Sequence, residues 1–234
     1  MTIAVMQPYF FPYIGYFQLM NAVDEFVIYD NIEFTKKGWI NRNRIGVHGK
    51  DEFITVPLKK DSDYLNVVDR RLAASWPAER VKLLNKVKES YRKSAQFQSC
   101  YPVVEEAIMF EENNLFSFVL NSLKMVATFL GIKTSLIISS QVPIDHSLKG
   151  EAKVLSICHS RRADTYINPI GGIGLYSRER FSANGIRLQF LKTNDIQYNQ
   201  LQHEFIPFLS IIDIMMFNTK EKIAEYLNSG YQLI

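Results

Sequence analysis

The sequence is poor in cysteine. Only Cys100 and Cys158 occur among 234 residues, without the spacing of a disulfide framework. That excludes a small stapled scaffold and fits a reducing, cytoplasmic setting. Long apolar runs are missing too. The most apolar later stretch, LFSFVLNSLKMVATFLGI, is interrupted by Asn121, Ser122 and Lys124, so no membrane span is expected. The opening MTIAVMQPYFF has no basic residue, and Pro8 and Pro12 break its apolar run, so no secretion signal is expected. An excess of one charge is also lacking. A net charge of +3 is too small an electrostatic footprint for nucleic acid, and no such partner is expected. His48, His146, His159 and His203 contain no i, i+4 pair, so no structural metal is expected.

What is present is aromatic. MQPYFFPYIGYFQLM, from Met6 to Met20, holds six aromatics, two prolines, one glycine and no charge. It follows an apolar segment, TIAVMQP, that reads as a buried parallel strand. YIGYFQLMNAV reads as a short helix and EFVIYDN as a second strand, a βαβ opening. Ligands of such units sit at the carboxyl ends of the strands. That puts Gln7, Pro8, Asp30 and Asn31 on one rim. Phe17 and Leu19 are expected to face the core, and Tyr9 and Tyr13 the pocket.

DEFITVPLKK reads as a third strand. WPAERVKLLNKVKESY reads as a helix with Val81, Leu84, Val87 and Tyr91 on its buried face. YPVVEEAIMF and NLFSFVLNSLKMVATFL read as two more, the second stopped by Gly131. Residues 76–131 therefore form a helical insert. The α/β pattern returns with strands in TSLIISSQV, TYINPI and IRLQFLK. Helices are expected in LKGEAKVLSICHSRRA and GLYSRERFSANG, and two more in SIIDIMMF and KEKIAEYL. The expected fold is one α/β domain over residues 1–234, with a Rossmann-like, mostly parallel sheet, a helical insert and C-terminal helices.

Three segments carry candidate chemistry. DNIEFTKKGWINRNRI packs Asp30, Lys36, Lys37, Trp39, Arg42, Asn43 and Arg44 into what reads as one loop after a strand. Guanidinium forks suit carboxylates and phosphates, and Trp39 offers a stacking face. The plain alternative is a solvated loop with one anchoring Trp. YINPIGGIG places Asn168, Gly171 and Gly172 between a strand and a helix, where backbone amides receive anions. Its plain alternative is a tight turn. Tyr176 follows at the start of the next helix as a further substrate-binding candidate. In FIPFLSIIDIMMFN, Ser210 and Asp213 match a capping box. Asp213 still requires a buried partner, for which Arg42 and Arg44 are candidates. Cys158 reads as core rather than nucleophile, because His159 beside it points elsewhere on the helix.

MQPYFFPYIGYFQL, DNIEFTKKGWINRNRI, YINPIGG, YNQ and FIPFLSIIDIMMFN resemble, in order, the motifs of the WbqC-like family over essentially the whole chain. The resemblance puts Gln7, Pro8, Pro12, Gly15, Asp30, Trp39, Arg42, Asn43, Asn168, Gly171, Gly172, Ser210 and Asp213 on motif positions. It implies a role in O-antigen or other surface-polysaccharide biosynthesis. The implied reaction is acyl or aminoacyl transfer, glycine in particular, onto an amino sugar. On that basis the expected partners are a nucleotide-linked amino sugar and a thioester donor, on an acyl carrier protein or coenzyme A. Asp30 and Gln7 are the expected catalytic residues. Arg42 and Arg44 would take the diphosphate, and Trp39 and Tyr13 would stack on the sugar or base. The opening is also similar to the HIGH-type turn of nucleotidyltransferase-like enzymes. Tyr16 stands where the second histidine would be, and the first has no counterpart. That likeness implies an ATP-dependent ligase or nucleotidyltransferase instead. A non-catalytic glycan- or protein-binding module is the third expectation.

Overall fold

In the computed structural model, residues 1–200 and 204–234 are described. His203 lies outside them. The chain runs β1 (Thr2–Met6), α1 (Ile14–Asn21) and β2 (Glu25–Ile28). A hairpin follows, β3 (Arg42–Val47) and β4 (Lys50–Thr55). Then come α2 (Trp76–Tyr91), α3 (Phe97–Met109), α4 (Leu115–Phe129), β5 (Ser135–Ile138) and α5 (Gly150–Ser160). The remainder is β6 (Thr165–Pro169), α6 (Arg178–Ala183), β7 (Arg187–Thr193), α7 (Ile211–Phe217), α8 (Lys220–Ser229) and β8 (Tyr231–Leu233).

Six strands form one sheet in the order β5-β2-β1-β6-β7-β8. All pairs are parallel except β7 with β8. Counting only the strands of this sheet, the order is 3-2-1-4-5-6, that of a doubly wound dinucleotide-type fold. Successive side chains on a strand point to opposite faces, and here both faces are apolar because helices cover both. Ile3, Val5 and Val27 pack with Val154, Ile157 and Cys158 of α5 and Phe181 of α6. Ala4, Phe26 and Ile28 pack with α1, α4, α7 and α8. Helices α2–α4 share that second cluster through Leu84, Val104 and Phe118. They lie inside the β2-to-β5 crossover, which is the helical insert expected from the sequence.

Several local expectations are corrected. The NRNR segment is not loop: Arg42–Val47 pairs with Lys50–Thr55 as a separate antiparallel hairpin. The two residues between them, His48 at φ 49° and Gly49 at φ 77°, supply the left-handed pair that a tight hairpin turn needs. DEFIT thus belongs to this small sheet, not to the main one. Val81 is 49% exposed; the buried stripe of α2 is Trp76, Leu83, Leu84, Val87 and Tyr91, and Val81 sits too far round the helix to join it. α3 starts at Phe97, so Pro102 lies inside it. GLYSRERFSANG divides into a 3-10 turn ending at Leu175 and a separate α6. The last strand, β8, has no counterpart in the sequence reading.

Candidate functional site

In open α/β sheets the strand order reverses at one point, and the crevice above the strand ends there is the natural ligand site. Here the reversal lies between β1 and β6. A cleft of about 1070 Å³ opens at that position. The end of β1 and the residue after it supply Met6 and Gln7; the end of β6 supplies Asn168 and Pro169, and the 3-10 turn that follows supplies Gly171 and Gly172. The hairpin and its lead-in supply Trp39, Asn43 and Arg44, and the approach to α5 supplies His146, Lys149 and Gly150.

The proline-rich opening loop forms one wall, and it is clamped. Phe11 has φ 42°, left-handed and costly for a bulky residue. Asn43 Nδ2 donates to the carbonyls of Phe10 at 3.0 Å and Phe11 at 2.9 Å. Ser210 Oγ donates to the Phe11 carbonyl at 2.8 Å. The Ile211 N–H donates to the Pro12 carbonyl at 2.9 Å. Two motif residues, Asn43 and Ser210, thus hold the loop in place. Ser210 also caps α7 through the Ile212 N–H, but its own N–H donates to the Arg44 carbonyl rather than to Asp213. Only half of the expected capping box forms. Gly15 is required because the Tyr13 ring lies where a Cβ would be.

The walls are rich in tyrosine: Tyr9, Tyr13, Tyr16, Tyr29 and Tyr176 all line the cleft. Burial pushes each phenol up, Tyr29 to about 12. They therefore stay neutral near pH 7; Tyr16 donates its O–H to the Gln7 carbonyl at 2.9 Å, and the others have O–H groups suited to sugar hydroxyls or carbonyls. Phe17 and Leu19 face the core and Tyr9 and Tyr13 the cleft, as the sequence reading expects. Trp39 is 38% exposed and stacks near Phe53 with ring centroids 6.3 Å apart. The Gln7 side chain makes no hydrogen bond among the described residues and is available to a ligand.

The structure gathers Gln7, Tyr13, Trp39, Asn43, Arg44, Asn168, Gly171, Gly172 and Tyr176 around this cleft. Four other candidates lie elsewhere. Asp30 is buried, and its carboxylate accepts the Ser140 N–H at 2.9 Å, so it braces the strand end instead of meeting a substrate. Lys36 pairs with Asp63 at 2.7 Å on the surface and holds that carboxyl below its ordinary range. Arg42 is spent on the Lys37 and Gly38 carbonyls and lies 4.6 Å over the Phe53 ring. Arg44 borders the cleft but pairs with Asp51 at 2.9 Å. Asp213 does not use the arginines. It accepts from Tyr91 at 2.7 Å, Tyr198 at 2.7 Å and Gln200 at 2.8 Å, which joins the YNQ and IIDIMMF motifs in one buried network. Burial raises its pKa, and those three donors hold it back. Cys158 is buried, with its thiol pushed up to about 12, which suits a core residue and not a nucleophile.

Two lining residues escaped the sequence reading. His146 Nδ1 lies 3.0 Å from Asn31 Nδ2, and Asn31 Oδ1 accepts from Ser139 Oγ at 2.7 Å. Lys153 is 3% exposed, and its ammonium sits 4.8 Å over the Tyr29 ring. Burial lowers its pKa, and the Asp30 charge opposes that. The one signal for it was a lysine on the apolar face of a helix, one turn before Ile157. Among the described residues no three His, Cys, Asp or Glu groups cluster in a way that could hold a metal ion.

Comparison with known proteins agrees with the motifs. The model of the WbqC-like protein family matches residues 7–225. The chain is similar to an uncharacterized Mycobacterium tuberculosis protein, Rv1507c, with 27% identity over 229 residues, covering 96% of each chain. No solved structure matches the chain.

Proposed function

Since the chain belongs to the WbqC-like protein family, we propose that it transfers an acyl or aminoacyl group, of glycyl type, from a thioester to a nucleotide-linked amino sugar in surface-polysaccharide biosynthesis. The observation that carries the reading is the cleft at the strand-order reversal, where neutral tyrosine hydroxyls, the Trp39 face and a bound-in-place histidine meet. A sugar ring stacks on an aromatic face and offers hydroxyls to the phenols. The sugar ammonium must lose a proton before its nitrogen can attack. His146, which lines the cleft, takes that proton on Nε2, with the Asn31 amide turned so that its oxygen receives the Nδ1–H; Asp30, expected in this role from the sequence, is not among the lining residues. The amine then forms a C–N bond to the thioester carbonyl, the C–S bond breaks, and the leaving thiolate takes up the second proton that the nitrogen sheds as it becomes the amide. Neither cysteine is on the cleft, which favours direct transfer over a covalent enzyme intermediate.

The test is to incubate the protein with a nucleotide-linked 4-amino sugar and glycyl thioesters of coenzyme A and of a carrier protein, and to seek the amide by mass spectrometry. No amide with either donor would sink the reading. The ATP-dependent alternative has weaker support: the Tyr13 ring covers the first turn of α1, where a HIGH-type turn would hold phosphates. It requires a thermal shift with ATP and magnesium. A purely binding role requires that a His146→Ala variant still complement the pathway in cells.

A further inference from the structure

We propose that Lys153 and the start of α5 form the subsite for a phosphoryl or diphosphoryl group in the cleft, an inference that rests on the cleft being the substrate site proposed above. The Lys153 ammonium, set 4.8 Å over the Tyr29 ring, lacks a counter-ion among the described residues. Lys153 is 3% exposed yet lines the cleft. It has three N–H donors, and its only hydrogen bond among the described residues is a long one, 3.4 Å to the His146 carbonyl. It makes no ion pair within 4.0 Å among those residues. Buried ammonium groups are ordinarily paired, because an isolated one carries the full cost of desolvation. The Asp30 carboxylate acts on it only across space, with one oxygen committed to the Ser140 N–H.

The start of α5 lines the same cleft. Lys149, the residue that precedes the helix, gives no side-chain cap, and the N–H groups of Gly150, Glu151 and Ala152 have no acceptor among the described residues. Such a helix start favours an anion. Gly150, at φ +53°, has no atom within 4 Å of where a Cβ would stand, so the approach is open. Glu151 would oppose an anion, but it is turned away, to Arg180 at 2.9 Å and the Ser177 N–H at 2.6 Å. Glu33 is the one carboxylate among the lining side chains, against Arg44, Lys149 and Lys153. The arginines that the sequence suggested for this task are already committed to Asp51 and to backbone carbonyls.

Two substrates of the proposed reaction carry such a group: the diphosphate of a nucleotide-linked sugar and the phosphates of a coenzyme A or phosphopantetheine donor. Calorimetric titration of the whole chain with inorganic pyrophosphate, UDP and coenzyme A separates them. Binding of pyrophosphate is expected, and stronger binding of UDP than of coenzyme A assigns the subsite to the acceptor; the reverse order assigns it to the donor. Lys153→Met, close in shape and uncharged, should weaken pyrophosphate by about tenfold or more, the scale of one charge-assisted hydrogen bond. Exposed Lys149→Ala should weaken it by about threefold. The proposal is overturned if the wild-type chain binds none of the three at millimolar concentration, or if folded Lys153→Met binds pyrophosphate as well as wild type. Should Lys153→Met not fold, unchanged affinity in Lys149→Ala overturns it. Pyrophosphate binding without amide synthesis would defeat the transferase reading and leave the subsite standing. Amide synthesis by Lys153→Met at wild-type KM for both substrates would do the opposite.

Discussion

Replacing Asn43 by Ala should release the opening loop from its clamp. Asn43 is 4% exposed, and its side chain makes three hydrogen bonds. It donates to the Phe10 and Phe11 carbonyls and accepts the Arg44 N–H at 2.8 Å. After truncation the Phe11 carbonyl keeps Ser210 Oγ. The Phe10 carbonyl and the Arg44 N–H lose their side-chain partner. Each buried group left unpaired costs about 1–3 kcal/mol. The left-handed backbone at Phe11 stores a further ~1–3 kcal/mol that the clamp holds in place, part of which is relieved when the loop relaxes. Because Asn43 borders the cleft, water entering the vacated space offsets some of the loss. The net expectation is a destabilisation of about 2–4 kcal/mol. Urea unfolding reads this as a lower midpoint at unchanged slope. Asn43→Asp is the sharper comparison. It keeps an acceptor for the Arg44 N–H but turns both donors into an anion facing two carbonyls, so it should unfold at least as easily as the Ala variant. A loss below about 1 kcal/mol in Ala, together with a wild-type midpoint in Asp, would refute the clamp.

His146→Gln should lower kcat of the proposed transfer by about a hundredfold or more with little change in KM; a kcat close to wild type would remove His146 as the proton acceptor. Asp213 has a folded pKa raised above its ordinary 3.8. The native state therefore binds the extra proton between the two values, and stability should fall as pH rises through the folded pKa. Tyr91→Phe removes one of its donors and should deepen that fall, costing about 2 kcal/mol at neutral pH. Urea midpoints from pH 4 to 8 check this, and a gap between the two proteins that stays constant with pH would contradict it. Cys158, with its thiol at about 12, should resist maleimide at pH 8 in the native protein and react on unfolding. Rapid native labelling, located by mass spectrometry, would show the site to be open.

The main sheet was legible because its strands are short apolar runs buried on both sides, and such runs announce themselves without any knowledge of partners. The rim was legible for the same reason: Gln7 and Asn168 follow two of those runs directly, so placing the strands places them. The hairpin was not. Arg42–Val47 alternates Arg42 and Arg44 with Asn43 and Ile45, and three of those four side chains are polar, which reads as loop. Asp30 and Asp213 were misjudged because composition does not distinguish a carboxylate that faces a ligand from one that accepts buried N–H and O–H donors. Lys153 and His146 were missed because their importance lies in what does not surround them and in what does, an absent counter-ion and a neighbouring amide.

The clamp on the opening loop joins residues far apart in the chain: the Phe11 carbonyl and the Ser210 hydroxyl are separated by 199 positions. At ~5–20 residues per second, ribosomal synthesis of that interval takes roughly 10–40 s. For that time the six aromatics of the opening segment exist without the helix that completes their shelter. The cleft is consequently completed only once Ser210 and α7 have been synthesised, and until then its uncharged, aromatic wall lacks the hydroxyl that holds it in place.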